Sequence, residues 1–185
     1  MQYVRMIHLF DAFSKMGKDK NGEPKQPDMQ NALFMAPQAE GDTWVKKAEM
    51  PTARVDLSTS VVNGIIYAIG GRWNDIFLQT VEAYDPKTDT WTKKADMPTP
   101  RQGLSTCVVD GIIYAIGGWN NSHLATVEAY DPKMDIWTKK TDMPNKRVWL
   151  STSVVDGIIY AIGGQKIGVE FSTVETYDPN IMKFE

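Results

Sequence analysis

The sequence predicts an all-β protein built from a repeated antiparallel unit, and three observations support this prediction. The octapeptide Gly-Ile-Ile-Tyr-Ala-Ile-Gly-Gly occurs three times without change, at residues 64–71, 111–118 and 157–164. Its copies follow one another at steps of 47 and then 46 residues, and a period of this size indicates a repeat architecture. Each copy begins in an Asn-Gly or Asp-Gly pair between β-branched runs, which is the strongest short-range signal of a β-hairpin.

Each repeat divides into four short strands. In the first repeat we expect them near 57–62, at 65–69, at 80–84 and from Trp91 onward. The glycine doublet Gly70-Gly71 ends the second strand. Pro86 and Pro98 end the third and fourth, because proline cannot donate to a β-ladder. Four antiparallel strands joined in order within about 47 residues predict one blade of a propeller.

On these residues the chain resembles the kelch-repeat family. The resemblance rests on an apolar run that ends in a double glycine and is followed by a spaced tyrosine and tryptophan. The two aromatic series are Tyr84, Tyr130, Tyr177 and Trp44, Trp91, Trp137, with Phe184 where a fourth tryptophan would fall. The resemblance covers residues 41–185. It implies a kelch-type β-propeller of three four-stranded blades, with repeats at about 44–90, 91–136 and 137–185.

The first 40 residues lie outside the repeat. Apolar residues at helical spacing predict a short helix near 3–16, which Gly17 would end. Residues 17–30 are polar and contain glycine and proline, which is typical of a linker. The apolar run at 31–37 is interpreted as a degenerate strand. We therefore predict a separate N-terminal segment, residues 1–40, ahead of the repeats.

The composition excludes several classes of partner and site. A net charge of −3 and a pI near 5.4 leave no basic footprint for nucleic acid. No apolar run approaches the ~18 residues of a membrane helix. The single cysteine, Cys107, rules out an internal disulfide framework. No Ser-His-Asp set, phosphate loop or zinc spacing is present, so we predict no catalytic residue, no metal and no cofactor.

The resemblance brings two enzyme classes into consideration. The copper oxidases of this fold need two histidine ligands, tyrosines and a cross-linked cysteine. Here His8 lies in the N-terminal segment and His123 in a loop, while Cys107 stands where the other repeats have Ser60 and Ser153. A carbohydrate-active propeller of the sialic-acid mutarotase kind stays the alternative function, because such a site is built from arginines and carboxylates around the channel.

The repeats disagree in the loops between the second and third strands. These loops, at 72–79, 119–125 and 165–172, differ in sequence and contain aromatic residues. Loops on a rigid scaffold are where binding groups usually sit. The strand order places them on the same face as the links that enter each blade, where position 149 and its equivalents also vary. The predicted ligand-binding residues in these segments are Trp73, Trp119, Asn120 and Trp149.

One arginine precedes the innermost strand of every repeat. In kelch proteins that bind peptides, arginines at this position contact acidic groups of the ligand, so the resemblance implies a carboxylate-binding rim made of Arg54, Arg101 and Arg147. The sequence leaves a second interpretation open, in which each arginine pairs internally with a third-strand glutamate, because a buried carboxylate needs a partner. Those glutamates are Glu82, Glu128 and Glu175.

Together these features predict a non-catalytic binding or scaffold module whose ligand is a protein, a peptide or a glycan. Propellers typically have roughly four to eight blades, so three repeats do not close a ring. The repeat region begins with a lone fourth strand, residues 44–50, and the third repeat has no fourth strand of its own. The chain is therefore interpreted either as a fragment of a longer propeller or as half of a six-bladed homodimer that exchanges this strand.

Overall fold

The computed structural model describes residues 20–21 and 43–181. The chain divides into two compact units, Met1–Val45 and Lys46–Glu185, and the strands among the described residues lie in the second. No helix is present among the described residues, and hence none with the length and apolarity that a membrane span requires. The helix predicted near 3–16, the strand predicted at 31–37 and Phe184 lie outside the described residues. Of the linker predicted at 17–30, only a turn at 20–21 is described.

The first repeat forms the predicted four-stranded antiparallel blade. Its elements are β1 (Ser58–Val62), β2 (Ile65–Ile69), β3 (Arg72–Trp73), β4 (Ile76–Phe77), β5 (Val81–Asp85) and β6 (Thr90–Lys93). The sheet has the order β1-β2-β5-β6, and β3 and β4 form a separate two-stranded hairpin in the loop between the second and third strands of the blade.

The second and third repeats follow the same plan. The second blade contains β7 (Ser105–Val109), β8 (Ile112–Ile116), β9 (Val127–Asp131) and β10 (Ile136–Lys139). The third contains β11 (Ser151–Val155), β12 (Ile158–Ile162), β13 (Gln165–Lys166), β14 (Val169–Glu170) and β15 (Val174–Tyr177). Its main sheet is β11-β12-β15, with no outer strand among the described residues. The all-β, blade-like fold expected from the sequence is confirmed.

The innermost hairpins turn at the Asn-Gly and Asp-Gly pairs. Asn63 and Asp110 have φ of 52° and 51°, and the glycines after them have φ of 79°. Two consecutive residues in the left-handed region define a type I′ turn, whose twist matches that of the strands it joins. The turn fixes the register, so that Val62 faces Ile65 and every later residue alternates between the two faces of the blade.

The blades pack face to face through apolar side chains. The face of each blade that looks toward the following blade carries residues such as Tyr67 and Ile69, and these contact Ile113 and Tyr130 of the next blade. The rings of Tyr67 and Tyr130 meet edge to face, with centroids 5.9 Å apart, and an equivalent cluster joins the second and third blades. Because both faces of the second blade are covered, its strands are almost continuously apolar.

Hydroxyl groups connect the innermost strands of neighbouring blades. Ser58 Oγ lies 2.8 Å from Thr106 Oγ1, and Ser60 Oγ donates to the same oxygen over 2.9 Å. One repeat later, Ser105 Oγ lies 2.8 Å from Thr152 Oγ1. These bonds satisfy hydroxyl groups along the strands that would line the channel.

The outer edges of the blades are joined by a second set of bonds. Asp135 Oδ1 accepts from the Tyr130 hydroxyl over 2.6 Å and from the Ala95 N–H of the preceding blade over 2.9 Å. Trp137 Nε1 donates to the Ala95 carbonyl over 3.0 Å. We call this arrangement the outer clasp. Its hydrogen bonds lower the pKa of Asp135 below the usual range, the Tyr130 hydroxyl being the largest cause.

The first glycine of each doublet is needed where one blade touches the next. Gly117 has φ of 64°, and a Cβ built on it would lie 2.6 Å from the Arg147 carbonyl oxygen of the third blade. The neighbouring Gly118 N–H donates to that same carbonyl over 2.9 Å. Glycine is therefore required both for the left-handed backbone and for the close approach of the next blade.

Candidate functional site

The three arginines of the predicted rim are inside the blades. Their side chains have no exposed surface, and each guanidinium pairs with a third-strand glutamate. The pairs are Arg54–Glu82, Arg101–Glu128 with 2.6 Å between Nη2 and Oε2, and Arg147–Glu175 with 3.0 Å between Nη2 and Oε1. Of the two interpretations that the sequence left open, the internal ion pair is the one present in this structure.

Arg101 illustrates how each arginine ties the start of a blade to its own third strand. Its Nη1 donates to the carbonyls of Gly117 and Thr126 over 3.1 and 2.9 Å. Glu128 accepts a further bond from the Thr99 hydroxyl over 2.6 Å. Burial lowers the pKa of Arg101 to about 10, although Glu128 opposes that shift, so the guanidinium remains charged at neutral pH.

The carboxylate-binding rim is therefore corrected. A guanidinium with zero exposure that donates to a glutamate and to two backbone carbonyls has no donor directed at a ligand. Each arginine does precede the innermost strand of its blade, as predicted, but its side chain points into the blade rather than toward the mouth of the channel.

The residues two positions after the three arginines are hydrogen-bonded to one another from blade to blade. The Gly103 N–H donates to the Asp56 carbonyl over 2.9 Å, and the Trp149 N–H donates to the Gly103 carbonyl over 2.8 Å. All three residues have left-handed backbones, with φ of 54°, 61° and 55°. Aspartate and glycine tolerate this conformation, whereas a tryptophan there is a strained outlier.

Despite this backbone strain, Trp149 is half exposed rather than buried. Its relative accessibility is 55%, and its indole packs on Gly103, since a Cβ at Gly103 would lie 2.9 Å from Trp149 Nε1. Strain of this kind costs on the order of 1–3 kcal/mol and persists where the surroundings over-determine it, commonly at functional sites.

A pocket of about 340 Å³ opens beside Trp149, between the second and third blades. It lies on the loop face, by which we mean the links that enter β1, β7 and β11 together with the loops between second and third strands. The lining residues are Gln102, Trp119, His123, Val148, Trp149 and Gln165. Paired backbone bonds between Gln102 and Trp119, and between Val148 and Gln165, hold links and loops together along its walls.

His123 fixes one wall of the pocket. Its ring meets the Trp119 ring edge to face, with centroids 4.6 Å apart. Its Nε2 accepts a bond from the Ile167 N–H over 3.2 Å, which ties the loop of the second blade to that of the third. Ile167 has φ of 52° and is 77% exposed, so a second apolar residue near the pocket has a strained left-handed backbone.

The structure brings together some of the predicted site residues and separates others. Trp119 and Trp149 line the same pocket. Asn120 follows Trp119 and is partly buried, with its N–H bonded to the Ser122 carbonyl. Trp73 is 51% exposed on β3 in the first blade and does not line this pocket.

Sequence reasoning missed Gln102, His123 and Ile167. The left-handed Ile167-Gly168 turn had little signal, because the residue before the glycine in such turns is usually asparagine, aspartate or glycine. The pocket itself had none, because it arises from the placement of two blades. Elsewhere, burial raises the pKa of the Cys107 thiol to about 11, and the described residues contain no cluster of three or more His, Cys, Asp or Glu that could hold a metal.

A family model described as the KLHDC2/KLHL20/DRC7 Kelch-repeats domain matches residues 28–164 of the chain. In direct sequence comparison, no curated protein matches it.

Proposed function

Since the chain belongs to the family of the KLHDC2/KLHL20/DRC7 Kelch-repeats domain, we propose that it is a non-catalytic module that binds a protein ligand through a segment held on the loop face. Family membership supports a protein-binding or scaffold role in general. The proposal for this chain adds the position of the site, the pocket between Trp119 and Trp149. The observation that carries it is that Trp149 combines a strained backbone with a half-exposed position.

The strain at Trp149 favours a binding role because the fold itself does not require a tryptophan there. The equivalent positions hold Asp56 and Gly103 with the same left-handed φ and the same interblade bonds. Exposed tryptophans supply large contact area and are enriched among the residues that dominate binding energy. A costly tryptophan beside a pocket is therefore best explained by a ligand that contacts it.

The surroundings of the pocket suit a peptide segment. Further apolar side chains are exposed on the same face, and they are Val55, Ile76, Ile167 and Val169. Gln102 and Gln165 line the pocket and carry amide groups that can bond a peptide backbone. Ligand sites of this kind are mostly apolar with a few polar groups that set orientation. A glycan, which stacks on tryptophan and bonds to amides, is the alternative ligand for the same residues.

The test uses a phage-displayed library of random peptides selected on the full chain. Trp149→Gly is the loss variant, because the left-handed backbone at this position already accepts Gly103 in the preceding repeat. We expect selected peptides to bind W149G at least about tenfold more weakly, since a tryptophan hot spot contributes about 2 kcal/mol or more and tenfold corresponds to about 1.4 kcal/mol.

Trp73→Ala is the matched control, because Trp73 is equally exposed on the same face but lies outside the pocket. Binding that survives W73A and fails in W149G supports the pocket. A library that yields no peptide preferring the wild type over W149G would contradict the proposal, and capture of glycans from an array instead would favour the alternative ligand.

A further inference from the structure

The face of the third blade that has no following blade keeps the residues of an interface. Val155, Ile162 and Val174 are 54%, 41% and 55% exposed. Their equivalents in the second blade, Val109, Ile116 and Val127, are at most 4% exposed, because the third blade covers them. We call the exposed surface of β11, β12 and β15 the open face. Its side chains are those that elsewhere receive the next kelch blade.

At the other end of the unit, residues 46–50, which form no strand, take the place of residues 93–97, the end of β6 and the segment that follows it. Asp89 Oδ1 accepts from the Ala48 N–H over 2.9 Å, and Trp91 Nε1 donates to the Ala48 carbonyl over 3.0 Å. The Tyr84 hydroxyl also donates to Asp89 Oδ1, over 2.6 Å. These are the contacts of the outer clasp between the first and second blades, one repeat earlier. The segment is thus held in the same way as the segment that follows an outer strand is held between the first and second blades.

The backbone leaves complementary groups at the two ends. Between blades, the Gly71 N–H donates to the Arg101 carbonyl over 2.9 Å, and the Arg101 N–H donates to the Leu78 carbonyl over 3.2 Å. The equivalent donors at the ends, the N–H groups of Gly164 and Arg54, have no partner among the described residues. Repeat symmetry would pair Gly164 with the carbonyl of Arg54, and Arg54 with the carbonyl of Phe171.

Side chains at the two ends complement each other in the same way. Ser151 and Ser153 are exposed on β11, and Thr59 is exposed on β1, whereas their equivalents form the hydroxyl contacts between blades. Glu175 Oε2 is buried without a partner among the described residues. The register of the first blade sets Lys93 opposite Glu82, and Lys46 stands one repeat before Lys93.

We propose that the open face binds the first blade of a second copy of this chain, and that two such junctions close a two-fold ring of six blades. In each junction the partner's residues 43–46, which are equivalent to β6, add to the edge of β15 as the missing outer strand, with the partner's Lys46 opposite Glu175. A junction that repeats head to tail closes a ring only if the rotation between the two copies is half a turn. Two copies of three kelch blades give six blades, which is within the usual range for propellers. The proposal does not depend on a ligand of the loop face.

The first measurement is the molar mass of the full chain by light scattering over a range of concentrations. We expect twice the chain mass of 20.8 kDa. Val174→Asp places a charge on the open face at a side chain that is 55% exposed in the single copy, so it should give a folded monomer. Val169→Asp is the matched control, because Val169 is 61% exposed on the loop face, and it should remain dimeric.

Cysteine pairs test the geometry of the junction in a Cys107→Ser background, which the serines at the equivalent positions of the other repeats make acceptable. Ser60→Cys with Thr106→Cys is the internal control, because these hydroxyl oxygens are 2.9 Å apart, and it should form a disulfide within one chain. Thr59→Cys with Ser153→Cys is the equivalent pair across the proposed junction. It should form a disulfide between two chains and no larger species.

Three outcomes would overturn the proposal. The first is a monomer at every concentration, which would leave the open face to a further kelch blade outside this sequence. The second is a dimer that V174D does not affect. The third is failure of T59C/S153C to cross-link while S60C/T106C does, or a ladder of larger species, which indicates an open head-to-tail chain. Dimerisation is measured without a ligand, so its failure is distinguishable from failure of peptide binding.

Discussion

The second and third repeats share the same octapeptide but differ in how deeply it is buried. Ile116 is 2% exposed and Ile162, in the identical sequence, is 41% exposed. Both lie at the end of the second strand of their blade, in the same register against the third strand. A following blade covers this face of the second repeat, whereas among the described residues no blade covers that of the third.

The comparison shows that a blade is specified locally but stabilised by its neighbours. Turn chemistry and alternation set the strands of the third repeat as well as those of the second. Its apolar faces, however, are removed from water only where another blade is present, as in other repeat proteins with nearest-neighbour energetics. Equivalent substitutions in the two repeats should therefore have unequal effects on stability.

The largest difference is expected at the first glycine of the doublet. Gly117→Ala should reduce the free energy of unfolding by more than about 4 kcal/mol, because its Cβ would lie 2.6 Å from the Arg147 carbonyl oxygen. Gly163→Ala should cost only the left-handed strain, about 1–2 kcal/mol, since the nearest atom is 3.4 Å away. Urea unfolding of both variants as monomers measures the difference. Equal losses would mean that backbone strain, and not contact between blades, determines the glycine.

The next difference is expected at the buried ion pairs. Glu128→Ala should cost about 3–5 kcal/mol, because it leaves the Arg101 charge buried without its partner. Glu175→Ala should cost less than half as much. Glu175 is 18% exposed, and Arg147 keeps a contact with the Phe171 ring at 4.8 Å. Thermal and urea unfolding give both values. Were E128A as mild as a surface substitution, the arginines would not stabilise the blades.

A smaller difference is expected at the isoleucines themselves. Ile116→Val should cost about 0.5–1.5 kcal/mol, as deletion of a buried methylene group usually does. Ile162→Val should be close to neutral in the monomer, because its side chain already contacts water. If two chains associate as proposed, I162V should instead weaken the dimer. Light scattering over a range of concentrations would detect this loss in I162V, and the same substitution in the monomeric V174D background would give its effect on the single chain.

The smallest effect concerns pH and the outer clasp. Burial and the hydrogen bond to Asp135 raise the pKa of Tyr130, and the bond to Asp89 raises that of Tyr84 to about 12. Because the folded-state pKa lies above the ordinary tyrosine value of 10.0, the stabilisation by each hydroxyl bond is complete below pH 10 and is lost as the pH rises through the folded-state pKa. We expect stability to fall above about pH 10, and less steeply in Tyr130→Phe. An identical alkaline slope in Y130F would contradict this assignment.

The strands and their order could be predicted from the sequence because local signals specify them. Asn63-Gly64 and its counterparts permit little other than a type I′ turn, and the first three strands of the first blade were placed within one residue of their observed bounds. The fourth, which was expected to end at Pro98, ends at Lys93. The glycine doublet predicted that another part of the backbone approaches it closely. The sequence could not say which neighbour approached, because the contact of Gly117 is with a residue of the next blade.

The candidate site was less accessible to sequence reasoning. The position of Arg101 before the innermost strand was read correctly, but its burial depends on Glu128, which lies on a different strand. The left-handed conformation of Trp149 had a signal that was not used, namely that Gly103 occupies the equivalent position. The pocket joins residues of two blades, and such a pairing follows only from the packed structure.

The hairpin turn at Asn63-Gly64 has a consequence for the ageing of the protein. An asparagine before glycine is the pair most prone to deamidation, since the glycine nitrogen attacks the side-chain amide without obstruction, and no atom lies within 4 Å of a Cβ at Gly64. The aspartate product would be the residue that the other repeats already use, at φ of 51° and 50° in Asp110 and Asp156. The cyclic imide that forms as ammonia leaves is opened by water to aspartate or to isoaspartate, and either product adds one negative charge to the net of −3. Only the aspartate product makes the first turn chemically identical to its two counterparts, because isoaspartate inserts a methylene group into the backbone.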